Sequence, residues 1–390
     1  MSDHRVSPAP GHELSLWGWG RADRFPDDRA RTALVRLASG LLGGHPFELI
    51  PEPEAEQLVL TAPRITPPAI LAGLCSAAPG ERASHTYGKA FPDLVRGLTG
   101  EFAPAPDAVA RPSDEDEIRA VLDWCGQNRV ACIPFGGGTS VVGGVEGAVG
   151  DDFRGVISLD MRAMDRVVEV DTLSRAARIQ AGATGPAIAA QLAGSGLSLR
   201  HYPQSFEFST LGGWLATRAG GHYATVYTHI DDLVESIRMV TPAGLYHTRR
   251  LPGSGAGPSP DRLALGSEGI LGVITEAWVK LQPRPRWRSS VSVKFDEFAA
   301  AVRATRAIAQ SGLHPVNCRL LDAREAMLHQ VTGDGRCILL LGFESAACPV
   351  AEFLAQAAEI ARAAGGVVGE PRHSESDPIA ADRNRGDAGR

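Results

Sequence analysis

Apolar and polar positions along the chain become regular from about Pro104. Ser113-Asp114-Glu115-Asp116-Glu117 gathers acidic side chains where a first helical turn would favour them, and Ile118, Val121, Leu122 and Cys125 follow at helical spacing. A helix beginning at Ser113 is therefore predicted. Val130–Pro134 is an unbroken apolar run that leads straight into Gly136, which reads as a short buried strand. Val156–Leu159, Val167–Val170 and Ala177–Ala181 read as further strands, and Pro186–Ser195 as a helix stopped by Gly196. Asp232–Val240 is strand-rich and closes in a turn at Thr241-Pro242-Ala243-Gly244. Pro252–Pro260 is a flexible Gly/Pro/Ser loop, Val273–Leu281 the last strand of this unit, and Pro283-Arg284-Pro285 a linker.

A second unit follows with its own rhythm. Ser290–Phe295 alternates as a strand, and Phe298–Gln310 is an amphipathic helix with Asp296 as its expected cap. Val316–Leu321 and Cys337–Phe343 are strands, and Val350–Ala364 is a helix ended by Gly365-Gly366. This β-α-β-β-α order predicts a ferredoxin-like sheet layer. Residues 370–390 are polar, charged and aperiodic, which predicts a disordered tail. The stretch before residue 104 is poorly periodic, with one helix over Arg29–Leu42. Trp17-Gly18-Trp19-Gly20 is expected to anchor it on the body of the protein, since tryptophan buries a large apolar area.

Composition narrows the function. The chain has 390 residues, 44% of them apolar, enough for more than one domain with a sizeable core. A net charge of −6 argues against a nucleic-acid surface. The six cysteines have no CxxC spacing, so a zinc site is disfavoured and reduced thiols in a cytoplasmic protein are expected. No apolar run has the length of a membrane span, and the first residues lack a signal core.

Three glycine-rich segments carry the candidate chemistry. The first is Phe135-Gly136-Gly137-Gly138-Thr139-Ser140-Val141, directly after a predicted strand. It has no lysine at the Walker position, so triphosphate hydrolysis is disfavoured, but its amides and hydroxyls can converge on a pyrophosphate. The second is Gln204-Ser205-Phe206-Glu207-Phe208-Ser209-Thr210, with Gly212-Gly213 and then Thr217-Arg218-Ala219-Gly220 after it. The third is Glu268-Gly269-Ile270-Leu271-Gly272-Val273-Ile274, where small and apolar residues alternate as a planar ring system requires.

Together these segments resemble the FAD-binding domain of the vanillyl-alcohol oxidase / p-cresol methylhydroxylase superfamily. Phe206-Glu207-Phe208-Ser209-Thr210 with Gly212-Gly213-Trp214, the Trp-Gly-Trp-Gly start, Tyr227–Leu233, Met239–Pro242 and Cys318–Asp322 narrow the likeness to the alkyldihydroxyacetonephosphate synthases of ether-lipid synthesis. The resemblance implies an α+β fold. A two-lobed FAD-binding domain of the p-cresol methylhydroxylase type would span 104–285, after an extension over 1–103 and before a partial ferredoxin-like cap over 286–369. It implies non-covalent FAD, with Thr139 where some members place a flavin-linking histidine. The cofactor contacts would be the residues just named from Phe135 to Val141, Gln204 to Thr210, Thr217 to Gly220 and Glu268 to Ile274. It implies a reaction without net redox, in which flavin N5 acts as nucleophile and a fatty alcohol replaces the acyl group of an acyl-dihydroxyacetone phosphate.

His201 is a substrate candidate because it matches a family histidine, set against a structural histidine, and Arg319 is one because a cation on the predicted cap strand could meet a phosphate, set against a surface ion pair. His222 and His229 flank a tyrosine-rich loop nearby. Gln204 stands where the family pattern has an acidic residue, and Thr228 where it has glycine. The family's phosphate-binding arginine, catalytic tyrosine and histidine cluster find no match before residue 390, so a C-terminally truncated chain is expected, and its last stretch also fits a shifted reading frame. Two alternatives stay open: an FAD-linked oxidoreductase of 2-hydroxy acids such as D-lactate or glycolate, and an inactive flavin-binding remnant. The expected partner is a small-molecule or lipid substrate, with peripheral membrane contact compatible. An unfinished cap would expose a sheet edge and favour a homodimer.

Overall fold

The computed structural model describes residues 14–54, 57–227, 229–251, 255 and 257–376. Its first layer is a four-stranded sheet, β1 (Cys75–Ser76), β2 (Ala108–Ala110), β3 (Val130–Phe135) and β4 (Gly155–Asp160), in the order β1-β2-β4-β3. The β2–β4 and β3–β4 pairs are parallel. The helices before this sheet's parallel part are α1 (Asp28–Leu41), α2 (Pro79–Ser84) and α3 (Phe91–Leu98). Helix α4 (Glu115–Asn128) makes the β2-to-β3 crossover and buries Ile118, Val121 and Cys125. Its cap is Asp114 rather than Ser113, with the Asp114 carboxylate accepting from the amides of Asp116 and Glu117. The helix ends with Arg129 in the left-handed region, and β3 starts at the next residue.

The second layer is antiparallel. Strands β5 (Val167–Asp171), β6 (Ala176–Gln180), β8 (Val234–Thr241), β9 (Gly244–His247) and β10 (Val273–Lys280) lie in the order β5-β6-β10-β8-β9, while β7 (Leu197–Ser198) pairs with β11 (Gln282–Pro283) as a separate ribbon. Helices α5 (Gly185–Gln191), α6 (Leu211–Thr217), α7 (Ala224–Tyr227), α8 (Ile230–Leu233) and α9 (Asp261–Ala264) fill the connections. The core here runs through Ile179, Ile188, Leu211, Trp214, Leu215, Ile237 and Val279, all 2% exposed or less. The Pro252–Pro260 loop lies largely outside the described residues.

Residues 287–375 form the third layer: β12 (Trp287–Phe295), α10 (Phe298–Ala309), β13 (Asn317–Leu321), α11 (Ala323–Leu328), β14 (Cys337–Ser345), α12 (Ala351–Ala363), β15 (Val367–Val368) and β16 (Arg372–Glu375). The order β13-β14-β12-β15, antiparallel throughout, is that of a ferredoxin-like sheet. Val291, Val293 and Phe295 of β12 and Leu339, Leu341 and Phe343 of β14 pack on Ala304 and Ile308 of α10 and on Leu354 and Ala357 of α12.

Two expectations are corrected here. Asp296 does not cap α10: Glu297 holds that position without a side-chain cap bond, and Asp296 pairs with Arg336 at 2.9 Å. Nor is the chain structureless from residue 370. Arg372–Glu375 pair with Ser290–Trp287 and continue the edge that β15 starts, so the fourth position of the sheet is filled. The pairing is set by the free edge of β12, which a local apolar pattern does not register. Residues 377–390 lie outside the described residues.

Two ionic networks fix this frame. Asp160, at the end of β4, accepts from Arg162 Nε (2.8 Å) and Nη2 (2.7 Å), from Arg111 Nε (3.1 Å), and faces His85 Nε2 at 3.3 Å. Burial pushes the Asp160 carboxyl up, yet the bonds from Arg162 and His85 outweigh it and hold the group well below the ordinary carboxylate range. Glu115 of α4 grips Arg238 of β8 bidentately at 2.6 Å and accepts from Thr275 Oγ1 of β10 at 2.6 Å, which ties the first layer to the second. Replacing Asp160 by Asn leaves the arginines without their buried counter-charge and is expected to cost about 3 kcal/mol of unfolding free energy. An unchanged urea midpoint would show that the network does not hold β4 in place.

Candidate functional site

The carboxyl end of β3 opens into a cleft of ≈ 370 Å³ between the first two layers, within the roughly 300–1,000 Å³ usual for cofactor sites. All of Phe135 through Val141 lines it. Gly138 has φ +64°, and a Cβ on Gly137 would collide with the carbonyl oxygen of Phe208, so these positions need glycine. Phe135 is held from behind by the His85 ring at 4.3 Å, which the Asp160 network positions. Among the described residues the amides of Gly137, Gly138, Thr139 and Ser140 donate to no protein acceptor. A row of consecutive amides without protein acceptors fits an anion such as a pyrophosphate.

The second segment contributes through its two ends. Ser205, Ser209 and Thr210 line the cleft, as do Pro203, Gly212, Gly213 and Trp214. Gln204 is in the turn and does not line it. Phe206 points back, lying 4.9 Å from Tyr202 and 6.2 Å from Trp214 by ring centres. Glu207 and Phe208 line a separate surface hollow with Trp19, Arg24 and Phe25. Ring contact at 5.1 Å between Trp17 and Phe25, with Gly20 against Phe208, fits the anchoring role expected of Trp17–Gly20. Thr217 and Ala219 reach the cleft. Arg218 instead caps α6 in the left-handed region and pairs with Asp231 at 2.7 Å, and Gly220 lies against the His229 ring.

From the third segment, Glu268, Gly269, Gly272, Val273 and Ile274 line the cleft. Ile270 and Leu271 are exposed and do not. Met161, Ala181 and Val145 complete the wall and lie in none of the glycine motifs. Lys89 does not line the cleft but braces its first loop from behind, a role that motif reading missed. Its amide donates to the Ser140 carbonyl at 2.7 Å, and burial pulls its ammonium down to about 8. The Gly88-Lys89 pair was the available signal, since a Cβ at Gly88 would strike the Ser140 carbonyl.

His201 is buried and edge-on to Trp214, 5.2 Å between ring centres, and does not line the cleft. Neither ring nitrogen has a hydrogen-bond partner among the described residues. Burial, and then the neighbouring His229, lower its pKa from 6.5 to about 4, so the ring is neutral. His222 and His229 are exposed on the loop beyond. Arg319 is exposed on β13, 3.9 Å from Glu325, and is not brought to the cleft wall.

A cleft walled by glycine turns between two layers, in a chain that also carries a ferredoxin-like layer, defines a flavoprotein of the FAD-linked oxidase class. The family model for an FAD binding domain matches residues 106–249, and that for the C-terminal domain of FAD linked oxidases matches 284–382. FAD is the cofactor, and the unpaired amide row, the glycine approach and the apolar wall fit it. A solved alkyldihydroxyacetonephosphate synthase superposes with a TM-score of 0.80 at 30% identity, covering 95% of this chain and 76% of that one. The chain belongs to the alkyldihydroxyacetonephosphate synthase family. The synthase of Dictyostelium discoideum is 40% identical over 247 residues, 63% of this chain and 40% of the relative. The glycolate oxidase subunit GlcD of Bacillus subtilis is 30% identical over 226 residues, 57% and 47% of the two chains. The chain thus matches less than half the length of these curated relatives.

Gly137→Ala is expected to cost about 1–3 kcal/mol in overpacking, which as lost FAD affinity is about tenfold or more. Gly150→Ala, whose Cβ would meet nothing within 4 Å, should bind FAD normally. Titration of apoprotein with FAD by flavin fluorescence checks both. A second expectation concerns acid. Between pH 6.5 and about 4 the unfolded chain takes up a proton that folded His201 refuses. Stability from this group is complete above pH 6.5 and falls by up to about 3 kcal/mol toward pH 4. His201→Gln should flatten that part of the pH–stability curve, and parallel curves for the two proteins would overturn it.

Proposed function

We propose that the protein holds FAD in this cleft, between the lobes of residues 104–285 and beneath a cap formed by 287–375. The reaction proposed is that of its family, exchange of the acyl group of an acyl-dihydroxyacetone phosphate for a fatty alcohol. The single observation that carries the reading is the meeting of Gly136–Ser140, Ser209–Thr210, Gly269 and Gly272–Ile274 on one cleft wall. When bound, the flavin supplies a nucleophilic ring nitrogen for a group exchange that needs no outside electron acceptor.

The residues do the rest. Amides of Gly137 to Ser140 take the pyrophosphate, with the Thr139 and Ser140 hydroxyls as added donors. Ser209 is fixed as an acceptor from Trp214 Nε1 at 2.7 Å, so its hydroxyl is oriented before any ligand arrives. Val273, Ile274 and Met161 supply a flat apolar wall that excludes water from the ring. Neutral His201 adds no charge behind Trp214.

A lipid substrate and peripheral membrane contact belong to the same proposal, supported by α1, where Leu34, Leu37 and Leu41 are each more than half exposed along one face. We also place the protein in the cytoplasm, in keeping with its six free cysteines. No described helix is long and apolar enough to cross a membrane. A second reading, oxidation of a 2-hydroxy acid, is favoured by the 30% identity to the glycolate oxidase subunit.

The test uses the FAD-loaded protein without oxygen. Incorporation of labelled hexadecanol into an alkyl ether product, with the flavin absorbance unchanged by D-lactate or glycolate, is the expected result. Bleaching by either hydroxy acid would replace the exchange reading with the oxidoreductase one. Protein that neither carries nor takes up FAD would end both.

A further inference from the structure

Arg200 is an unusual residue in an expensive place. It has φ +56°, a region that disfavours bulky side chains, and it is 8% exposed. Its guanidinium carbon lies 5.2, 4.9 and 5.4 Å from the ring centres of Tyr202, Tyr223 and Tyr227. Nη1 donates to the Tyr202 hydroxyl at 3.2 Å, and Nη2 donates to Glu344 Oε1. The Tyr227 hydroxyl donates to that same oxygen at 3.2 Å.

Glu344 belongs to the other body of the molecule. It lies on β14, out of phase with Leu339, Leu341 and Phe343, which face the helices of the cap. Its side chain is 5% exposed. The Arg200–Glu344 pair therefore joins the cap to the loop that carries Pro203 and Ser205 to the cleft wall. Tyr202 continues the connection through Phe206 to Trp214, which lines the cleft.

A buried ion pair adds little net stability over an apolar pair of similar volume. Here the arrangement also carries backbone strain and leaves Arg200 Nε without a partner among the described residues. What it does supply is a single geometry, since a bond to Glu344 inside a three-ring cage can be made only with the cap seated. We propose that Arg200 is a positioning residue that latches the cap onto the flavin domain through Glu344 and so sets how readily FAD leaves the cleft. The inference rests on FAD occupying that cleft.

The experiment compares the FAD-loaded wild-type protein with Arg200→Gln, Glu344→Gln, the double variant and Tyr227→Phe. FAD release is followed by flavin fluorescence, backbone hydrogen exchange by mass spectrometry, and unfolding by circular dichroism. Each single change at Arg200 or Glu344 is expected to speed release about tenfold, equivalent to about 1.4 kcal/mol of latch energy. The double variant should release FAD no faster than either single one, and Tyr227→Phe should fall between. Exchange should rise in Cys337–Ser345 and 200–206 but not in α4. Rates that multiply in the double variant, or release unchanged while unfolding shifts, would reduce Arg200 to a structural residue and overturn the latch. Should Arg200→Gln fail to fold, Arg200→Gly removes the cation and relieves φ +56° at once, with the same release and exchange expected. If the wild-type protein holds no FAD, the flavin reading fails. Exchange in the flavin-free protein then decides the latch: a rise confined to β14 and 224–227 in Glu344→Gln supports it, and no change overturns it.

Discussion

Backbone pressed on backbone at the glycine turns is the constraint on which the rest of the structure depends. A side chain at Gly137 would strike the Phe208 carbonyl, one at Gly88 the Ser140 carbonyl, and one at Gly212 would sit 2.8 Å from the Ala181 Cβ. Peptide planes at such approach cannot slide past one another, so segments far apart in the chain share one rigid wall. The wall then presents the amides of Gly137–Ser140, which have no protein acceptor among the described residues. Recognition by peptide groups follows from packing by peptide groups.

Such a wall is only as fixed as the layers behind it, and charge fixes those. Asp160 sits at the end of β4, opposite Phe135 in the register, so the arginines it gathers also steady the start of the glycine loop. Glu115 does the same for the other side through Arg238 and Thr275, and Thr275 directly follows the cleft residue Ile274. Buried pairs of this kind recover their desolvation cost only when the geometry is good. Their value here is location: Asp160 directly precedes Met161 and Thr275 directly follows Ile274, both on the cleft wall, so each network converts a layer contact into a fixed position for a loop.

The layers and the glycine loops were legible in the sequence because both are written locally. Val130–Phe135 is apolar throughout, buried at both ends beside its parallel neighbour β4, and the glycines follow without a gap. What sequence adjacency could not resolve was direction. Within Gln204–Thr210 only Ser205, Ser209 and Thr210 reach the cleft, since the turn sends Phe206 to Trp214 and Phe208 to Gly20. Arg218 sits among cleft residues in sequence yet turns to Asp231, because closing α6 requires its left-handed backbone. Strand β16 escaped notice because a polar strand on an edge owes its existence to its neighbour rather than to its own pattern. Arg200 and Glu344 are separated by 144 positions and carry no motif, so only the fold brings them together.

The glycine wall does not by itself choose a reaction. A synthase relative and a glycolate oxidase relative both match this chain over more than half of its length, which is what a site built from peptide groups allows. Choice of chemistry must then be made by what stands opposite the flavin. In the cap sheet, Val291, Val293 and Phe295 turn to the helices, which leaves Ser290, Ser292 and Lys294 on the other face, in register with Gly342, Leu340 and Ile338. Arg319 pairs in register with Leu340 and so shares that face with Glu344, four residues further along the same strand. That face carries a small apolar cluster of Leu321, Ala326, Ile338 and Leu340 under α11, charges of both signs beside it, and Glu344, which ties it to the loop of Arg200. A latch that ties this face to the loop carrying Pro203 and Ser205 therefore acts on the cleft from outside its wall, through the backbone that Glu344 holds by way of Arg200.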